Sequence, residues 1–238
     1  IVSYVDNAGI ITSNASTATT TDDPSVTLQG TNEALQAGEV INVYRDGILI
    51  GAATSTSATT WTLANVAIDA ESDAYTVAVA DSVGNTFAGT GSLAIALDTT
   101  PPTATATIST YTDDIGTAAG NFGTGTTTDD RQPVLNGTIT GTFGATDVVR
   151  IYDGSTYLGN AVVTGSTWTY PLSGLADDSS HTYNAKVTDA AGNTTNSNNF
   201  VINIDLAIIV NAQSTLDTTP VVTGQLGFAL EAGEYLVV

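Results

Sequence analysis

An all-β chain of tandem two-sheet sandwich modules is predicted by three observations: short alternating β-branched segments, turn residues at sandwich spacing, and an internal repeat of 107 or 108 residues. The repeat carries most of the argument. Ile1, Tyr4 and Asp6 recur 107 positions later as Ile108, Tyr111 and Asp113. The run TTTDD at 19–23 recurs at 126–130, and Gly30 recurs as Gly137. Tyr44, Gly51 and Trp61 correspond to Tyr152, Gly159 and Trp168. Asp81, Gly84 and Asn85 correspond to Asp189, Gly192 and Asn193, and Asp98 corresponds to Asp205. After Asp205 a further copy starts, with Pro220 and Gly224 aligning with Pro133 and Gly137, and GEYLVV aligning with GEVINV at 38–43. The expected modules are 1–97, without a counterpart of DTTPPTATAT and so without its first strand; 98–205, complete; and 206–238, the truncated start of a third. Strand exchange, with 206–214 supplying the first strand of another chain, is the alternative explanation of these ends.

Within 98–205 the strands read in order. TATATI (103–108) is A, entered through Pro101 and Pro102, which cannot donate to a central ladder. PVLNGTI (133–139) is B, and VVRIYD (148–153) is C, closed by Asp153-Gly154. TYLGNAVV (156–163) runs back. STWTYPL (166–172) is E, HTYNAKVTD (181–189) is F with Tyr183, Ala185 and Val187 on one face, and NFVINID (199–205) is G. About seven strands in roughly 100 residues is the count of an immunoglobulin-like sandwich. With no cysteine, no inter-sheet disulfide exists, and Trp168 and Tyr152 are expected to fill core volume instead.

Composition narrows the function. Of 238 residues 42 % are hydrophobic, enough for packed cores, yet no apolar run approaches the roughly 18 residues of a membrane span. No basic segment followed by an apolar block is present, so no signal peptide is expected within the stretch. Twenty-four acidic residues against four basic ones, Arg45, Arg131, Arg150 and Lys186, give a net charge of -20. Such a surface repels nucleic acid and anionic membranes and attracts cations.

The DTTPP entry at 98–102, the TDD…PVLNGT strand, the Asp153-Gly154 hairpin, TWTY at 167–170 and VTDAAGNT at 187–194 resemble the bacterial immunoglobulin-like repeats of giant secreted adhesins and biofilm-associated surface proteins. The resemblance runs through essentially the whole chain. It implies a non-enzymatic spacer, exported to the bacterial cell surface or secreted. Its neighbours are modules of the same chain, a host or matrix surface is reached through other regions, and calcium stiffens the junctions. Gly-Gly-x-Gly-x-Asp calcium nonapeptides are absent from 1–238.

The carboxylates follow the sandwich topology. The A–B loop, the C hairpin, the E–F loop and the end of G share one pole. There the second module is expected to gather Asp113, Asp114, Asp129 and Asp130 from A–B, Asp177 and Asp178 from E–F, and Asp205 from G. The first gathers Asp6, Asn7, Asp22, Asp23, Asp69, Glu71, Asp73 and Asp98. Crowded carboxylates repel unless a cation holds them, and Ca²⁺ takes six to eight oxygen ligands from such loops. With no Cys and only His181, softer metals are disfavoured. Asp98 with Asp22 and Asp23, and Asp205 with Asp129 and Asp130, are placed at the junctions; Leu216-Asp217 replaces the acidic pair in the third copy, which should bind calcium poorly. The competing reading is a solvated acidic pole.

Other features carry less. His181 beside Ser179 and Ser180 has no counterpart His in the first repeat. Asp81 and Asp189 read as turn residues. Asn14, Asn136 and Asn193 match the glycosylation sequon, as chance allows in a chain this rich in Ser, Thr and Asn. Paired carboxylates could cleave glycosides, but no aromatic cleft accompanies them. Two alternatives to the spacer stand: a carbohydrate- or protein-binding module, which an aromatic cluster on a solvent face would favour although few aromatics are free of the predicted cores, and a filament subunit assembled by strand exchange.

Overall fold

A computed structural model describes residues 1–116, 118–206, 208–210, 221 and 223–226. Every regular element among them is a β-strand. The chain forms two units, Ile1–Pro102 with Thr188–Thr194, and Thr103–Val187 with Thr195–Val238.

The first unit contains β1 (Ser3–Asp6), β2 (Ser13–Ser16), β3 (Thr20–Thr21), β4 (Ser25–Thr31), β5 (Val40–Arg45), β6 (Ile48–Ala52), β7 (Thr54–Ser55), β8 (Thr60–Ala67), β9 (Asp73–Ala80), β10 (Thr86–Ala88) and β11 (Leu93–Leu97). One sheet has the order β2-β1-β4-β8-β7 and the other β3-β11-β9-β5-β6, with β10 on β9. The second repeats this plan with β12 (Thr105–Asp113), β13 (Gly120–Phe122), β14 (Thr126–Thr128), β15 (Val134–Thr140), β16 (Val148–Asp153), β17 (Thr156–Asn160), β18 (Val162–Thr164), β19 (Thr167–Pro171), β20 (Ser180–Thr188), β21 (Thr194–Asn196) and β22 (Phe200–Ile204). Its sheets are β13-β12-β15-β19-β18 and β14-β22-β20-β16-β17, with β21 on β20. Strands β23 (Ile208–Val210) and β24 (Gly224–Leu226) pair antiparallel. Most of the expected third module, Leu216-Asp217 included, lies outside the described residues.

Each unit is an immunoglobulin-like sandwich in which seven principal strands are joined by four short ones. Two short strands correct the sequence reading. What reads as an A–B loop contains β13, and β14 pairs in parallel with β22, Thr128 opposite Ile204. Strand A also runs further than TATATI, through Tyr111 to Asp113, past an irregularity between Ile108 and Thr110. TYLGNAVV splits, β17 pairing with β16 and β18 crossing to β19.

The cores follow period-2 alternation. Tyr183, Ala185 and Val187 are buried against Ile108, Leu135, Ile151, Trp168 and Ile202. The first unit buries Tyr4, Leu28, Val43, Trp61, Tyr75 and Ile95 in the same way. Trp168 is 1 % exposed and lies opposite Gly137, whose added Cβ would stand 2.1 Å from its ring. The glycine is thus required by the tryptophan, and Gly30 serves Trp61 alike. Tyr152 is buried as expected, at 7 % exposed, but stands outside the main apolar cluster. Alternation from Val149 and Ile151 turns it to the opposite face, where Tyr157 and Lys186 cover it.

Candidate functional site

The parallel pairing of β14 with β22 brings the Thr-Asp-Asp run to the end of the last strand. Asp205 N–H donates to Thr128 O at 3.0 Å, and Asp98 N–H donates to Thr21 O at 2.9 Å. Around this crossing each unit carries the same network. Thr128 Oγ1 donates to Asp113 Oδ2 at 2.6 Å and accepts the Asp130 N–H at 3.0 Å. Thr21 Oγ1 donates to Asp6 Oδ2 at 2.8 Å and accepts the Asp23 N–H at 3.1 Å. Asp113 and Asp130 are 3 % and 1 % exposed, and Asp6 and Asp23 are also buried.

Backbone donors hold the same carboxylates. Asp130 Oδ1 accepts from Gln132 N–H at 2.7 Å, and its carboxylate accepts from the Asp114 N–H. Asp23 accepts from Asn7 and Ser25 N–H at 3.1 and 2.9 Å. Asp113 Oδ1 accepts from Ile115 N–H at 3.0 Å. The two central threonines were missed in the sequence, although the signal was visible: both acidic pairs are preceded by Thr, and both follow Asp-x-x-Gly. The glycine of that motif leaves room for the remaining acid. A Cβ on Gly116 would lie 2.3 Å from Asp129 Oδ2, and one on Gly9 would lie 1.9 Å from Asp22 Oδ2.

These contacts sort the nine candidate ligands. Asp23, Asp113 and Asp130 are buried and hydrogen-bonded by protein donors. Asp114 is exposed, and Asp22, Asp98 and Asp129 are half-buried. Asp98 Oδ1 accepts from Thr100 N–H at 3.0 Å. Asp22 Oδ1 is buried without a hydrogen-bond partner. Asp177 and Asp205 meet each other and Asp178, one oxygen of each lying within 4.8 Å of the others, all exposed. Asp177 Oδ1 also accepts from Asp178 and Leu206 N–H at 2.9 and 2.8 Å. The corresponding loop of the first unit is arranged differently: Asp69 and Asp73 lie 2.8 and 3.5 Å from Arg45 Nη1.

Burial raises three carboxyl groups above their ordinary range. For Asp130 it outweighs the lowering by the Gln132 and Asp114 N–H groups. Burial raises Asp22, with the Asp6 charge adding to it, and it raises Asp73 against the opposing pull of Arg45. A hard cation would offset both burial and mutual repulsion, and the donors present are all oxygen, as calcium requires.

His181 has a different explanation. Its Nδ1 lies 2.6 Å from Asp153 Oδ2, and its Nε2 lies 3.0 Å from Ser179 Oγ. The grouping has the composition of a hydrolytic triad, but the Ser179 hydroxyl donates to Ala176 O at 2.5 Å. Its proton points away from the imidazole, which in this arrangement does not act as its base. Asp153 and His181 stand 108 positions after Arg45 and Asp73. The same link between strands C and F is therefore made in both units, with the carboxylate on F in the first and on C in the second. The F–G turns are stabilised by their own aspartates: Asp189 Oδ1 accepts from the N–H groups of Ala191, Gly192 and Asn193, and Asp81 Oδ1 from those of Val83 and Asn85.

Residues 105–206 match the family model described as a bacterial Ig-like domain. A search of curated proteins gives no match. Solved structures similar in fold include fibronectin(III)-like modules of Clostridium thermocellum CbhA, at 10 % identity and TM-score 0.47 over 78 % of this chain and 86 % of that one. A 1.5-MDa bacterial ice-binding adhesin is similar at 21 % identity and TM-score 0.30, over 77 % of this chain and 58 % of that one. Titin domains A168-A170 are similar at 10 % identity and TM-score 0.27, over 87 % and 68 %. No helix among the described residues is long and apolar enough to cross a membrane.

Proposed function

We propose that the chain is a spacer segment of a large extracellular bacterial adhesin or biofilm protein, and that calcium bound by the acidic module ends stiffens its junctions. The observation supporting this most directly is the duplicated network of Asp6, Thr21 and Asp23 in one unit and Asp113, Thr128 and Asp130 in the other. A repeat that preserves buried carboxylates at one end of each sandwich, while the partners of the C–F link are exchanged, maintains those ends for a common purpose. The match of 105–206 to the bacterial Ig-like domain supports a surface-protein module. The proposed ligands are drawn from Asp22, Asp23 and Asp98 in the first unit and from Asp113, Asp114, Asp129, Asp130, Asp177 and Asp205 in the second. Asp22 Oδ1 is buried without a protein donor, and the Asp177, Asp178 and Asp205 group brings three exposed carboxylates together. Millimolar extracellular calcium suits sites of this exposed kind.

Thermal melts at pH 5 and pH 7, in chelator and in calcium, test the cation. In chelator the raised carboxyls Asp22, Asp73 and Asp130 bind protons more readily in the folded chain than in the unfolded one. Stability then falls as pH rises from the ordinary carboxylate value through the raised folded values, so the melt is expected to be higher at pH 5. Calcium binds the deprotonated form and stabilises by mass action, so its effect is expected to be larger at pH 7. No calcium effect at either pH would show the acidic ends to be solvated surface.

A further inference from the structure

Two of the chain's four cations stand on one outer face of the second unit, each seated on a tyrosine ring. The Arg150 guanidinium carbon lies 4.1 Å from the centre of the Tyr157 ring, and Arg150 Nε donates to the Tyr152 hydroxyl at 3.2 Å. Lys186 Nζ lies 4.7 Å from the centre of the Tyr152 ring. The two rings are 5.5 Å apart, tilted by 51°, and pair across β16 and β17. Asn160, opposite Arg150 in the same ladder, accepts the Tyr157 hydroxyl at 2.8 Å. Tyr157 is 43 % exposed.

The fold does not require this cluster. Strands β5, β6 and β9 of the first unit carry Asn42, Leu49 and Ala78 where β16, β17 and β20 of the second carry Arg150, Tyr157 and Lys186. Nor do the cations serve the chain's own acids. Among the described residues neither Arg150 nor Lys186 has a carboxylate within ion-pair distance, whereas Arg45 has two. In a chain with 24 acidic residues, a pair of cations held on aromatic rings with no described carboxylate in ion-pair reach is complementary to an anion from outside.

We infer that this face of the second unit binds an acidic sugar, a glycan residue bearing a carboxylate. The planar guanidinium of Arg150 matches a carboxylate in two parallel hydrogen bonds, and Lys186 adds a second positive charge. The exposed part of the Tyr157 ring takes the apolar face of a pyranose, and Asn160 takes ring hydroxyls. The net charge of -20 selects within the anions. It disfavours nucleic acid, polysulfates and a second copy of the chain, with their high or extended negative charge, more than a short uronate segment with one carboxylate per residue. The inference is independent of calcium.

Isothermal titration of residues 1–238 with a short oligogalacturonide, in chelator to exclude calcium bridges, tests it, with a neutral oligosaccharide of equal length as control. Saturable binding of the uronate alone is expected. Arg150→Gln and Tyr157→Ala should each weaken it by about tenfold, and Lys186→Gln by about threefold. In NMR spectra of the parent chain the resonances of Tyr157 and Arg150 should shift on titration, a readout that needs no variant. The inference is overturned by no saturable binding, by equal binding of the neutral sugar, or by unchanged affinity in Arg150→Gln. A self-association of the chain that Arg150→Gln abolishes would overturn it too, in favour of a second copy as occupant.

Discussion

Replacing Gly137 by alanine is expected to destabilise the second unit by about 3 kcal/mol or more, at the upper end of overpacking costs. The new Cβ would stand 2.1 Å from the Trp168 ring and 2.3 Å from the Thr107 carbonyl oxygen. The ring could shift only by leaving a site that is 1 % exposed, and the carbonyl belongs to the backbone of β12, which pairs with β15 along its length. Trp168→Ala approaches the same contact from the other side and should cost about 3–5 kcal/mol through the cavity it leaves. Gly30→Ala in the first unit should be milder. There the nearest atoms all belong to the Trp61 side chain, the closest at 2.2 Å, and no backbone oxygen is among them. Denaturant unfolding measures all three. A loss below about 1 kcal/mol for both Gly137→Ala and Trp168→Ala would mean that the ring is not the centre of the core.

The second large effect is expected at Thr128→Val. Valine has the shape of threonine but neither donates nor accepts. The change removes the 2.6 Å donor from Asp113 and the 3.0 Å acceptor from the Asp130 N–H, both in buried surroundings. Leaving two buried polar groups short of partners should cost on the order of 3 kcal/mol. Thr21→Val should do the same to Asp6 and Asp23 in the first unit. Thr128→Ser, which keeps the hydroxyl, should recover most of the loss. Equal stability of the valine and serine variants would remove the hydrogen bonds from the account and leave only packing.

The sandwich was legible because its signals are local or repeated. Alternation identified Tyr183, Ala185 and Val187 as one buried face, and the repeat aligned Trp61 with Trp168. Strand β14 was not legible. Three threonines followed by two aspartates read as a polar loop, and only the parallel pairing with β22 makes them a strand. The same pairing converts Asp113 and Asp130 from loop acids into buried, hydrogen-bonded groups. Tyr152 is buried as the sequence predicts, but against Tyr157 and Lys186 rather than within the main apolar cluster. The cluster it forms with Tyr157, Arg150 and Lys186 draws on three strands that are not all consecutive in sequence, so no local pattern announces it. His181 has no counterpart His in the first repeat. The reason is that its counterpart is Asp73, facing Arg45, a pairing that can be read only when both strands are seen together.

The central claim is that calcium makes a spacer of these modules rigid, and small-angle X-ray scattering of residues 1–238 tests it most directly. A linker free to swing gives a broad distribution of module separations, whereas cations held at the module ends narrow it. Scattering in chelator and then at about 2 mM calcium, the extracellular range, is expected to show a longer maximum dimension with the cation. The change should reverse when chelator is restored. Identical profiles in the two conditions would contradict calcium stiffening and leave rigidity to packing alone.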